Sequence, residues 1–117
     1  MNEYKGIFEI EILGKKRGFK FGMGAFAHAC RLDGCSIGEI ASRIIGGDLQ
    51  SQLILIYTAS VQYARLQKEI EPTQEQVNDW IDHVGIDQFG SAMVSAFRTS
   101  PNAEAPKEEV KETQGQS

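Results

Sequence analysis

One stretch limits what this chain can fold into more than any other. From Leu49 to Ile70 it reads Leu-Gln-Ser-Gln-Leu-Ile-Leu-Ile-Tyr-Thr-Ala-Ser-Val-Gln-Tyr-Ala-Arg-Leu-Gln-Lys-Glu-Ile. Leu49, Leu53, Ile56, Tyr57, Val61, Ala64 and, less regularly, Ile70 recur at helical spacing. Leu53 to Tyr57 is apolar on every side, so more than one face of the helix must be covered. A buried strand would not continue into Ala64, Arg65, Leu66, Gln67, Lys68 and Glu69, all good helix formers. Gln and Ser interrupt the stretch, and it is too short to span a membrane. The expectation is a central helix on which everything else packs.

The remaining elements fall around it. Ile7 to Leu13 alternates, with Phe8, Ile10 and Ile12 on one face and Glu9 and Glu11 on the other. Phe19-Lys20-Phe21 alternates again after a polar, glycine-bounded run, which predicts a β-hairpin. The register expected from the apolar set pairs Ile12 with Phe19 and Ile10 with Phe21, placing Glu11 opposite Lys20 and leaving Gly14 to Arg17 as a four-residue loop. Such a hairpin is marginal alone, so its Phe/Ile face must lie on helices.

Ala25 to Leu32 reads as a short helix with Phe26, Ala27, Cys30 and, less regularly, Leu32 inward, and Asp33-Gly34 as a turn. Ser36 can cap a helix from Ile37, whose apolar positions are Ile37, Ile40, Ala41, Ile44 and Ile45. Gly46-Gly47 ends it and Asp48 can cap the central helix, which Pro72 should stop near Glu71. Thr73 and Gln76 form a capping box ahead of Val77, Trp80, Ile81 and Val84, and Gly85 suits the residue past that helix. A last helix, about Asp87 to Arg98, would bury Phe89, Met93, Val94 and Phe97. Residues 1–99 therefore read as one α+β, mostly helical domain: an N-terminal hairpin on a bundle of about five helices. Residues 100–117, polar and acidic with one Val110, read as a disordered tail.

Charge excludes some functions. Residues 1–100 hold ten Lys/Arg against twelve Asp/Glu and residues 101–117 two against four, so neither part grips phosphates and nucleic acid is not an expected partner. Met-Asn-Glu-Tyr-Lys-Gly lacks the apolar core of a signal peptide, which argues against export. Cys30 and Cys35 then read as reduced thiols rather than a disulfide framework.

Candidate chemistry is sparse. Gly22-Met23-Gly24-Ala25-Phe26-Ala27 fits G-x-G-x-x-G/A between a strand and a helix, but the strand belongs to a hairpin and no second strand with an acidic end follows. It reads better as a flexible turn. His28, Cys30 and Cys35, with His83 at a distance, match no paired-ligand zinc spacing. A helix-turn-helix around Ser36 to Ile45 would need a basic recognition helix, where Leu53 to Tyr57 stands instead. No catalytic, cofactor or metal site is expected. The sharpest candidates are contact residues: a basic tip of Lys15, Lys16 and Arg17, and Leu55, Tyr63 and Leu66, which lie off the main stripe of the central helix. Surplus apolar surface of that kind points to self-association or a protein partner.

The strand–turn–strand Phe-Glu-Ile-Glu-Ile-Leu-Gly-Lys-Lys-Arg-Gly-Phe-Lys-Phe resembles the small tail assembly chaperones of long-tailed bacteriophages and gene transfer agents. So do the helix Gly24 to Leu32, Ser36-Ile37-Gly38-Glu39-Ile40-Ala41, the hydrophobic helix around Leu53 to Tyr63, and Pro72-Thr73-Gln74-Glu75-Gln76-Val77-Asn78-Asp79-Trp80-Ile81. The likeness covers roughly residues 7–98. It implies a non-enzymatic protein of the host cytoplasm, absent from the mature virion. Such a protein binds the tape-measure protein, shields its hydrophobic helices and recruits tail-tube subunits. The alternative from the residues alone is a small nucleotide- or metal-dependent enzyme using the Gly22–Ala27 turn or Cys30 and Cys35.

Overall fold

In a computed structural model, residues 6–99 are described, with side chains to Val94. Strands β1 (Ile7–Ile12) and β2 (Lys15–Lys20) precede α1 (Met23–Asp33), α2 (Ile37–Ile45), α3 (Leu49–Gln67) and α4 (Gln74–Val84). A short 3-10 turn (Ile86–Phe89) leads into α5 (Gly90–Thr99). The architecture is the expected one, a two-stranded antiparallel hairpin on five helices. The tail from Ser100 lies outside the described residues, as does the side chain of Phe97.

Helix starts follow the sequence closely. Ser36 Oγ accepts from the Glu39 amide while Glu39 Oε1 accepts from the Ser36 amide, and Thr73 and Gln76 make the same reciprocal pair. Asp48 accepts from the Ser51 amide at 3.0 Å. These short polar side chains satisfy backbone donors that have no partner inside the helix. Gly85 takes φ 90 and ψ 137, a positive φ open to glycine but not the left-handed helical conformation expected past this helix.

The hairpin register differs from the expected one. Ile12 pairs with Lys15, Ile10 with Arg17 and Phe8 with Phe19, while Glu11 faces Lys16 rather than Lys20. The loop is a two-residue turn, Leu13-Gly14, not the four residues Gly14 to Arg17. Both turn residues have positive φ, 56 for Leu13 and 76 for Gly14, the signature of a tight turn whose twist matches that of the strands. A leucine in that conformation is strained by about 1 kcal/mol, so the sequence carries no turn signal there. The shift is an even number of residues, so each side chain keeps its face.

Helix α3 ends four residues before the expected limit near Glu71. Lys68 adopts a left-handed conformation (φ 59), and the Glu69 amide donates to Ala64 O at 2.8 Å, closing the helix before Pro72 can act. Its buried side also differs from the expected stripe. Ser51, Leu55, Ile56, Thr58, Ala59, Ser60, Val61 and Ala64 are buried, whereas Leu49 and Ile70 are exposed. Small residues admit close neighbours: Thr58 Oγ1 lies 2.9 Å from Ala25 O of α1. Counting large apolar residues alone misplaced this surface.

The core is aromatic at the hairpin. Phe19 meets Phe8, Phe21, Trp80 and Phe89, with centroid separations of 5.1–6.4 Å and the Trp80 and Phe89 contacts edge-on. Leu55, Ile56, Ala59, Val77, Ile81 and Met93 complete it.

Candidate functional site

Two surfaces stand out. The first is an open groove of about 260 Å³ between the start of β2, the end of α3 and the start of α4. Lys15, Lys16, Glu69, Glu71, Tyr63 and Trp80 are among the residues that line it. Glu71 accepts from Arg65 Nε at 2.7 Å, a pair about half exposed at each end and therefore weak in water. Ile70, at 95% exposure, stands at the rim, and Leu66 is exposed one turn earlier.

The fold makes this groove by a close approach of helix to strand. Gly18 lies under the Tyr63 ring, where a Cβ would collide with it. Tyr63 then reaches across both strands and its hydroxyl donates to Glu9 Oε2 at 2.9 Å. Glu9 is the cross-strand partner of Gly18, so one tyrosine fastens both strands to α3. That hydrogen bond, followed by burial, raises the Tyr63 pKa and keeps the phenol protonated. Arg17 does not join the basic tip. Its guanidinium carbon sits 4.6 Å above the centre of the Trp80 ring, and its Nε donates to Ile12 O at 3.3 Å.

Of the six contact residues expected from sequence, Lys15, Lys16, Arg17 and Tyr63 thus line one groove. Leu66 is a surface residue near its rim. Leu55 is corrected: it is fully buried among α3's neighbours and presents nothing to a partner.

The second surface was not singled out in the sequence. Helix α2 carries its apolar residues over a broad arc, of which only Ile40 and Ile44 are buried. Ile37, half-buried Ala41 and Ile45 follow at four-residue spacing along the uncovered side, with Ile37 at 39% and Ile45 at 71% exposure. Leu32 and Leu49, beyond the two ends of α2, are also exposed. The signal lay in the length of the apolar stripe, which is wider than one buried face needs.

The residues weighed for chemistry are dispersed. Among the described residues, no three His, Cys, Asp or Glu side chains are grouped to hold a metal ion. His83 Nδ1 lies 3.0 Å from Asp79 O on α4, while His28 sits 6.2 Å from the Tyr57 ring with Nδ1 buried and unpaired. Burial, then Arg31 and Arg65, holds the His28 pKa below its ordinary value. Cys30 and Cys35 are brought together at the corner between α1 and α2. The Gly22–Ala27 stretch is the N-cap and opening of α1. No described helix is long and apolar enough to cross a membrane.

No protein-family model, curated protein or solved structure matches the chain.

Proposed function

We propose that this protein is a non-catalytic tail assembly chaperone of a long-tailed phage or prophage. It acts in the host cytoplasm, is left out of the mature virion, and binds the tape-measure protein while tail-tube subunits are recruited. The observation that carries the reading is the uncovered side of α2, Ile37, Ala41 and Ile45 on a helix already packed through Ile40 and Ile44. An exposed apolar strip on a rigid helix suits the apolar face of another helix. Removing that face from water would suppress aggregation of a long helical partner. The layout of residues 7–98, which resembles such chaperones, supports the same reading. The groove of Lys15, Lys16, Tyr63 and Trp80 offers a second contact with a partly charged lining.

The test is co-expression with an aggregation-prone helical segment of a tape-measure protein. The chain should keep that segment soluble and co-purify with it. The double variant Ile37→Asp/Ile45→Asp should lose this effect while keeping its own melting temperature, because both side chains already face water. A wild-type chain that leaves the segment insoluble would sink the proposal.

A further inference from the structure

The corner between α1 and α2 holds the molecule's two thiols in an arrangement the proposed chaperone role does not use. Helix α1 closes through Gly34, which takes the left-handed conformation (φ 69). The amides of Gly34 and Cys35 both donate to Cys30 O, at 2.7 and 3.2 Å. This cap folds the residue after the glycine back onto the last helical turn, so the side chains at its two ends touch. Here those side chains are Cys30 and Cys35, which this cap places next to each other. Both are half-buried rather than sealed in the core, so a small oxidant can reach them.

We propose that Cys30 and Cys35 form an oxidisable dithiol, a site that closes to an intramolecular disulfide when met by a hydroperoxide. The surroundings assign the two roles. Cys35 Sγ lies 3.8 Å from Asp33 Oδ2, which also accepts from Arg43 Nη1 at 3.0 Å and from Ser51 Oγ at 3.3 Å. Arg43 thus pairs with Asp33 at the same corner. Cys30 is the poorer nucleophile of the pair, since burial and then Cys35 itself push its pKa up. Cys35 reacts first and Cys30 resolves.

In the first step the Cys35 sulfur attacks an oxygen of hydrogen peroxide, the O–O bond breaks, and Cys35 becomes a sulfenic acid while the departing hydroxide takes up the Cys35 thiol proton and leaves as water. In the second step the Cys30 sulfur attacks the Cys35 sulfur. The S–S bond forms, the S–O bond breaks, and the hydroxyl departs as water with the Cys30 proton. The two sulfurs lose two electrons in total, and the hydroperoxide accepts them. A thiol reductant of the glutathione or thioredoxin type reverses the change by exchange. The bridge ties the last turn of α1 to the residue before Ser36, the cap of α2. Oxidation therefore stiffens the hinge that carries the exposed side of α2.

The full chain is treated with hydrogen peroxide and examined by intact mass and thiol alkylation. The expected product is a monomer lighter by two hydrogens, whose cysteines resist iodoacetamide until reduced and whose melting temperature exceeds that of the reduced protein. Cys30→Ser should accumulate a dimedone-reactive sulfenic acid at Cys35, and Cys35→Ser should give far less at Cys30. The wild-type mass reading stands whether or not either variant folds. Two alkylatable thiols after treatment, a gain of oxygen without a bridge, or only cross-linked dimers would each overturn the dithiol. Equal trapping in the two variants would overturn the assignment of Cys35 as the attacking residue.

Discussion

The hairpin and the α1–α2 corner use similar residues to opposite ends. At the hairpin, Phe8, Phe19, Phe21, Trp80 and Phe89 gather into one cluster, and Tyr63 holds the outer side down. Helix α2 has four isoleucines and buries two. The hairpin strands are too short to persist without packing, so their apolar residues serve stability. Helix α2 is capped at its start and held by Ile40 and Ile44, so Ile37 and Ile45 are spare. Apolar side chains on a small protein are therefore not equivalent: what matters is whether the element could stand without them.

The largest expected contrast comes from truncation. Phe19→Ala should cost about 3–5 kcal/mol in urea unfolding, since it empties the centre of the aromatic cluster. Ile45→Ala should stay within about 0.5 kcal/mol of wild type. Similar losses in the two variants would erase the distinction between the regions.

A smaller effect tests how the hairpin is fastened. Gly18→Ala should cost about 1–3 kcal/mol, because the new methyl meets the Tyr63 ring. Adding Tyr63→Ser should recover part of that loss in a double-mutant cycle, and strict additivity would show that the two do not touch.

In the opposite direction, Leu13→Asn should raise stability by about 1 kcal/mol, because it puts the preferred Asn-Gly pair in the tight turn. An unchanged denaturation midpoint would mean the strain is absent.

The mildest effect is one of pH. The His28 pKa is lowered by burial, so the unfolded chain binds more protons than the folded one as pH falls through the ordinary histidine range. That contribution to stability is complete above about pH 6.5 and is lost below it. The difference in melting temperature between wild type and His28→Gln should therefore narrow or reverse between pH 7 and pH 5. A constant difference would place His28 in water-like surroundings.

Much of the fold was legible because its boundaries rest on local chemistry. Ser36 with Glu39, Asp48, and Thr73 with Gln76 each announce a helix start through a side chain that satisfies a backbone amide. Failures came where a residue does something its type seldom does. Leu13 and Lys68 adopt left-handed conformations usually left to glycine or asparagine, which hid the hairpin register and the end of α3. Tyr63 could not be placed without knowing that Gly18 lies beneath it. Leu55 looked surplus because four elements, α1, α2, α4 and β2, cover α3 at once, and no single helical stripe shows that. For the contact residues, Lys15, Lys16, Arg17 and Tyr63 were named from sequence, but their meeting in one groove depends on the register and on the helix-to-strand approach. The side of α2 was within reach, had the width of its stripe been compared with what one contact can hide.

Trp80 is the chain's only tryptophan, and it stands in the groove beneath Arg17. Indole emission therefore comes from a single place, in a cleft lined by both basic and acidic side chains. Whatever settles there must disturb the guanidinium above the ring or the water beside it, and either will alter colour or brightness. The molecule arrives with its own optical gauge of occupancy, readable without a label.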